Sequence, residues 1–297
     1  MDSQIELAEH FERSRKHLRG VAFRMLGSAS EADDALQETW LRACRSDFRE
    51  LSNPTGWLTT ITGRVCLDML RRRKANREET ADISEIEQFA PQAGGPDPEG
   101  EAVLADSVGL ALLVVLDRLS PAERVAFVLH DLFAVPFSEI AQIVERTPAA
   151  AKKMASRARH RVQGSTTVTR PDFARQREVV DAFLGASRAG DLEGLLEVLA
   201  PDVVRRADTY ALRAGEPKVL RGAQHVAEET TGNIRRARFA RPVLINGSPG
   251  AVVAPAGRLL YVLEITVRDG RVSEIDITAD PERLHELQLS VLDAIPV

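Results

Sequence analysis

The chain has 297 residues, 44% hydrophobic and 28% charged, with a formal net charge of −5, which suits two or three modest globular cores and excludes a fibrous or disordered protein. No run approaches the roughly 18 to 20 apolar residues that span a bilayer, and the charged start "MDSQIELAEHFERSRKHLRG" has no apolar signal core, so a cytoplasmic protein is expected. The mild net charge hides a strong local asymmetry: six bases between Arg64 and Arg77 face only Asp68, whereas residues 81–106 carry seven acids and no base.

Residues 1–80 have helical periodicity, broken only at Gly27 and around Asn53–Gly56. In "SEADDALQETWLRAC" the spacing buries Ala32, Ala35, Leu36, Thr39 and Trp40 and leaves Asp33, Asp34, Gln37 and Glu38 outside. An acidic face does not grip DNA, so it implies a protein partner. In "WLTTITGRVCLDMLRRRK" (57–74), Leu58, Ile61, Val65 and Met69 point inward, while Trp57, Thr60, Arg64, Asp68 and Arg71 share another face. Asp68 lies four residues after Arg64 and three before Arg71, positioned to hold both guanidinium groups. Trp57 serves either as a platform for an unstacked base or as a lid over the core. The preceding "SDFRELSNPT" reads as a polar loop suited to an extruded base. Cys44 and Cys66 have neither the number nor the spacing of a disulfide framework or zinc site, and both read as buried small apolar residues. No metal or cofactor is expected.

Residues 81–102, rich in acids, Pro and Gly, read as a linker, and a second helical unit covers 103–163. Within it, Phe137, Ile140, Ala141 and Val144 form one apolar face, Arg146 and Thr147 the turn, Thr147 the N-cap and Pro148 the first helical position. The next helix places Ala151, Met154, Ala155, Ala158 and Val162 inward and Lys153, Ser156 and His160 outward, with Lys152 and Arg159 on one shoulder and Arg157 and Arg161 on the other. This is the pattern of a helix-turn-helix. Lys152, Lys153 and Ser156 are placed for base edges in a major groove, and Arg157, Arg159 and Arg161 for the backbone.

A second linker covers 164–171. Residues 172–297 then change character: helices from Asp172 to Arg188 and, capped by Asp191, to Leu199, followed by β-type runs with turn dipeptides at Asn246-Gly247 and Asp269-Gly270. A curled antiparallel sheet with helices on one side, an α+β domain, is expected.

"SASEADDALQETWLRA", "PTGWLTTITGRVCLDMLRRRK" and "LSPAERVAFVLHDLFAVPFSEIAQIVERTPAAAKKMASRARHRV" resemble regions 2 and 4 of bacterial sigma factors of the extracytoplasmic-function (ECF) type, over about residues 10–163. The closest resemblance is to the subgroup with a SnoaL-like domain after region 4. It implies two all-α helical domains, a region 2 bundle and a region 4 helix-turn-helix, and then a cone-shaped α+β fold. It also implies that Asp33, Asp34, Gln37 and Glu38 dock on the clamp helices of the largest subunit of the RNA polymerase core. Asn53, Trp57, Arg64, Asp68, Arg71 and Arg72 would meet the minus-10 element of promoter DNA, and Lys152, Lys153, Ser156, Arg157, Arg159 and Arg161 the minus-35 element. The acidic linker would thread a polymerase channel. The C-terminal domain would modulate activity in cis.

Two other readings compete. One is a DNA-binding regulator that never touches polymerase, which leaves the Asp33–Glu38 face without a purpose. The other is a SnoaL-like enzyme or ligand-binding domain fused to DNA-binding domains. Its candidate pocket residues are Asp208, His225 and Asp276, because such chemistry needs a carboxylate or histidine tuned by burial or by a neighbour. Compared with the subgroup, a glycine-rich stretch is replaced by "RRADTYALRAGEPKVLRG", and the linker "APQAGGPDPEG" has no tryptophan.

Overall fold

A computed structural model describes residues 2–46, 53–79, 109–164, 170–212 and 215–292. The expected linker at 81–102 and most of the loop at 46–55 lie outside the described residues. Two compact units are present: one holds residues 1–108 and 116–159, the other residues 109–115 and 160–296. The division falls inside the second helix of the helix-turn-helix, a little before the expected linker. No described helix is long and apolar enough to cross a membrane.

In the first unit, α1 (Asp2–Leu26), α2 (Ala29–Cys44) and α3 (Pro54–Glu79) pack on one another. Leu18, Val21, Ala22 and Met25 of α1 are fully buried, each large side chain contributing roughly 1.5–3 kcal/mol before the cost of ordering. Ser28 caps α2 by accepting from the Glu31 N–H. The inner face of α3 is broader than its apolar spacing suggests. Thr62, Cys66, Leu67 and Leu70 are buried beside Leu58, Ile61 and Val65, whereas Met69 is only half-buried. The Thr62 hydroxyl tolerates this by donating to the Leu58 carbonyl and accepting from Thr39 of α2.

After α4 (Leu110–Asp117), a capping box built by Ser120 and Glu123 opens α5 (Pro121–Phe127), which runs on into a π turn at Val128–Leu132. Next come α6 (Phe137–Val144) and α7 (Pro148–Gln163). α3 packs against α5 and α6. Their close approach depends on Gly63, where a Cβ would lie 3.1 Å from Ile143 Cδ1 and 3.2 Å from Leu129 Cδ1.

The second unit contains α8 (Arg170–Ala189), α9 (Leu192–Val198), α10 (Ala223–Gly232), α11 (Ile234–Ala237) and α12 (Pro281–Glu286). Its strands are β1 (Leu199–Ala207), β2 (Val219–Arg221), β3 (Ala240–Ile245), β4 (Ser248–Val253), β5 (Tyr261–Arg268), β6 (Arg271–Thr278) and β7 (Leu289–Ser290), in the sheet order β2-β1-β6-β5-β4-β3-β7. Both expected hairpin turns form, with Asn246, Gly247, Asp269 and Gly270 all at positive φ. The sheet departs from the antiparallel expectation at one pair, since β1 runs parallel to β6. The cause is the path of the chain: β3 to β6 form a run of hairpins, and its last strand, reached from β5 through the Asp269-Gly270 turn, lies beside β1 in the same direction. Val180, Phe183 and Leu184 of α8 pack with Leu195, Val203, Val226 and Ile275 in the core.

Candidate nucleic-acid interface

α1 and α2 together line a groove of about 350 Å³, with Phe11, Leu36 and Trp40 supplying apolar surface and Glu12, Asp33, Asp34 and Gln37 supplying polar groups. Phe11 and Trp40 meet edge to face, with ring centroids 5.2 Å apart. Trp40 is therefore half-buried at the groove rather than in the core. Asp33, Asp34 and Gln37 are exposed. Arg19 reaches from α1 to hold Asp33 at 2.7 and 3.1 Å. Glu38 is turned aside to Arg42, 2.8 Å away. The α1 half of this groove was not evident in the sequence; a local pattern reports which side of one helix is wet, not which helix lies beside it.

On α3, Asn53 caps the first turn by accepting from the Gly56 N–H at 3.0 Å. Arg64, Arg71 and Arg72 are exposed, and Trp57 is half-buried. Asp68 corrects the expected pairing with Arg64 and Arg71, for its carboxylate instead receives Arg42 of α2 at 3.1 Å. A tertiary partner on the neighbouring helix has displaced the same-helix pairs. The hydrogen bond to Glu38 and then the one to Asp68 raise the Arg42 guanidinium pKa, against an opposing effect of burial.

The helix-turn-helix forms as its caps dictate. Glu145 closes α6 in the left-handed region at φ 55°, and the Thr147 hydroxyl accepts from the Ala150 N–H at 3.2 Å. Ala151, Ala155, Ala158 and Val162 are fully buried; Lys152, Lys153, Ser156, Arg157 and Arg161 are exposed. Arg159 is only partly available, because its Nε donates to Asp131 Oδ1 at 2.5 Å while Asp131 Oδ2 is buried without a hydrogen-bond partner. Phe137 is half-buried and stacks on His130 at 3.9 Å.

The sigma-70 region 2 family model matches residues 10–76, and the sigma-70 region 4 model matches residues 109–162. The ECF RNA polymerase sigma factor SigJ of Mycobacterium tuberculosis is 36% identical over 94% of this chain and 93% of its own length. The chain belongs to the ECF sigma factors. The ferric citrate uptake sigma factor FecI of Escherichia coli is 35% identical over 48% of this chain and 79% of its own. The crystal structure of SigJ aligns with 93% of the chain and 98% of its own at 32% identity, with a TM-score of 0.44. As an ECF sigma factor, the protein has RNA polymerase core and promoter DNA as its partners, and it directs promoter recognition in transcription initiation. An α+β domain with a seven-stranded sheet follows the two sigma regions.

Several features of this sigma factor were not visible in its sequence. Arg73 of α3 donates twice to the Leu26 carbonyl, both at 3.1 Å, and pairs with Glu31. It also approaches Asp117 at 4.0 Å, and Asp117 in turn receives Arg124 at 3.2 Å. Arg124 is 3% exposed. Burial, aided by the nearby charge of Arg73, pushes its guanidinium down to about 10 against the pull of Asp117.

The cysteines separate. Cys66 is buried and its thiol pushed up to about 12 by desolvation. Cys44 corrects the expectation that both are inside, being exposed. It sits one residue past the buried Ala43, where the helix turns outward.

In the C-terminal domain, a cavity of about 80 Å³ is lined by apolar side chains with Ser187, Arg205, Glu229, Thr230, Asn233 and Tyr261. Arg205 is 2% exposed, pairs with Glu229 and donates to the Pro217 carbonyl at 2.9 Å. Asp208, His225 and Asp276 do not line it. Asp208 accepts four main-chain N–H groups, from Tyr210, Ala211, Ala279 and Asp280, at 2.8 to 3.1 Å. Its lone pairs are used in closing a turn. His225 is exposed, with Nδ1 3.2 Å from the Arg221 carbonyl oxygen. Asp276 meets Arg206 at 3.4 Å on a solvent-facing side of the sheet. Among the described residues, no group of three or more His, Cys, Asp or Glu is placed to hold a metal.

Proposed function

We propose that the groove between α1 and α2 is the seat for the clamp helices of the largest polymerase subunit, with Asp33, Asp34 and Gln37 as its polar rim and Glu38, held by Arg42, beside it. The observation that carries this is the pairing of that rim with an apolar floor from Phe11, Leu36 and Trp40. Helical partners dock through apolar anchors, and charge sets their approach. Asn53, Trp57, Arg64, Asp68, Arg71 and Arg72 receive the minus-10 element, with Asp68 acting through Arg42. Lys152, Lys153 and Ser156 read the minus-35 element, and Arg157, Arg159 and Arg161 hold its phosphates. The chain makes and breaks no bonds; it positions the polymerase and stabilises opened DNA. The C-terminal domain modulates this in cis, and its cavity takes a small ligand beside the Arg205–Glu229 pair.

The test is co-purification with core polymerase of a full-length chain carrying Asp33→Lys, Asp34→Lys and Glu38→Lys. Loss of association with an unchanged circular dichroism spectrum is expected. Retention of the polymerase at wild-type level refutes the assignment. Transcription from a version ending near residue 168 tests the cis role, and identical output across promoters refutes it.

A further inference from the structure

Outside the two sigma regions, the longest stretch of one-signed charge among the described residues is in the C-terminal domain. From Thr230 to Leu263 the sequence has five arginines and no Asp or Glu. Four of them, Arg235, Arg236, Arg238 and Arg241, fall within seven residues around the single turn of α11. Arg235 and Arg238 are exposed, and Arg236 and Arg241 half-exposed. A fifth cation joins them from the last turn of α8. Arg188 Nη2 donates to the Ala240 carbonyl at 2.9 Å, and Arg241 Nη1 donates to the same oxygen at 2.9 Å and to the Arg238 carbonyl at 2.7 Å. Two guanidinium groups are thus drawn onto one main-chain oxygen.

Among the described residues, no carboxylate forms an ion pair with Arg188, Arg235, Arg236, Arg238 or Arg241. Elsewhere in the same domain Arg206 and Arg268 are matched by Glu274 and Arg205 by Glu229. Burial and then the charge of Arg241 hold the Arg188 guanidinium below its ordinary range, with Asp181 acting in the opposite direction. Like charges gathered without a counter-ion are relieved by an anion. A planar guanidinium pair suits phosphate oxygens, which accept parallel N–H bonds. The row of three further arginines fits a repeating polyanion better than one phosphate group.

We propose that Arg188 and Arg241, flanked by Arg235, Arg236 and Arg238, form a phosphate-binding face by which the C-terminal domain grips the DNA backbone, in addition to the contacts of α3 and α7. This grip carries no sequence information. It adds affinity that falls with salt.

The experiment uses full-length protein assembled with core polymerase and a labelled promoter duplex, titrated at several KCl concentrations. Removing one phosphate neutralised by the protein lowers the slope of log affinity against log salt by about 0.9. Arg188→Gln with Arg241→Gln is expected to lower the slope by about 1 to 2 and the affinity several-fold, while the lysine pair at the same positions retains most of both. The triple variant Arg235→Gln, Arg236→Gln, Arg238→Gln touches only the α11 turn and lowers the slope in the same direction, which keeps the test decisive if the first variant folds poorly. Wild-type slope and affinity in a folded triple variant overturn the proposal. So does a result in which inorganic phosphate raises the melting temperature of wild type but not of the variants, with the salt slope unchanged; that assigns the face to a small anion. Co-purification with core polymerase and the choice of start site are retained in all these variants, which separates this proposal from the assignments to α2, α3 and α7.

Discussion

Arg124 is buried while its partner Asp117 stands at the surface with 38% of its side chain exposed, and replacement of the two is expected to give opposite results. A guanidinium lowered to about 10 is disfavoured as a cation by roughly 3 kcal/mol, and at 3% exposure solvent screening relieves little of it. Its return is one hydrogen bond to Asp117 at 3.2 Å, with Arg124 Nε left unpartnered. Arg124→Met removes the cation, keeps much of the volume, and leaves Asp117 facing Arg73 at 4.0 Å. The expected change is between neutral and about 2 kcal/mol of stabilisation. Asp117→Ala strands the buried cation, and because the carboxylate is 38% exposed and partly screened by solvent the cost is about 1–3 kcal/mol, a fall in melting temperature of about 5 °C at 2–4 °C per kcal/mol. Scanning calorimetry of the full-length chain measures both. The pH dependence follows from the sign of the shift. Below about 10 both states hold the proton and the penalty is present in full. Above it, the folded state releases the proton before the unfolded state, so wild type gains stability relative to Arg124→Met as pH rises. A Met variant that melts as low as Asp117→Ala refutes the reasoning, since burial would then not be the dominant effect.

Asp208→Ala leaves four main-chain N–H groups without their acceptor and is expected to cost about 2–4 kcal/mol, read as a lower urea midpoint with association with core polymerase retained. Cys44 is expected to react with a thiol reagent in the native protein and Cys66 only after unfolding, followed by absorbance at pH 8. Arg157→Ala is expected to weaken promoter binding by anisotropy more than Arg159→Ala, because Arg159 is shared with Asp131. Thr147→Ala removes the cap of α7 and is expected to cost about 1 kcal/mol, with a matching loss of thermal stability.

The parts legible in the sequence are those whose causes are local. The helix-turn-helix follows from Thr147, Pro148 and the spacing of Ala151, Ala155 and Ala158, all within a few turns of one another. The hairpin dipeptides work the same way, as the positive φ each needs is a property of the residue itself. What escaped depends on partners distant in the chain. Asp208 looks like a chemical group until Ala279 and Asp280 arrive to occupy it from 71 and 72 residues away. Arg205 is a cation at an inward strand position, two residues after the buried Val203, and Glu229 on α10 lets it stay inside. Asp68 has two attractive neighbours along its own helix, but Arg42 is nearer in space. The groove between α1 and α2 needs Phe11, which has no motif around it.

Gly63 gives one further consequence. It is the point on α3 where Ile143 of α6 and Leu129 come within reach of the bare main chain, so the approach of α3 to α6 at this point relies on the omission of a single methyl group. A graded series of side chains at that site would act as shims of known thickness, easing α3 and α6 apart in steps while leaving the exposed arginines of α3 and α7 untouched.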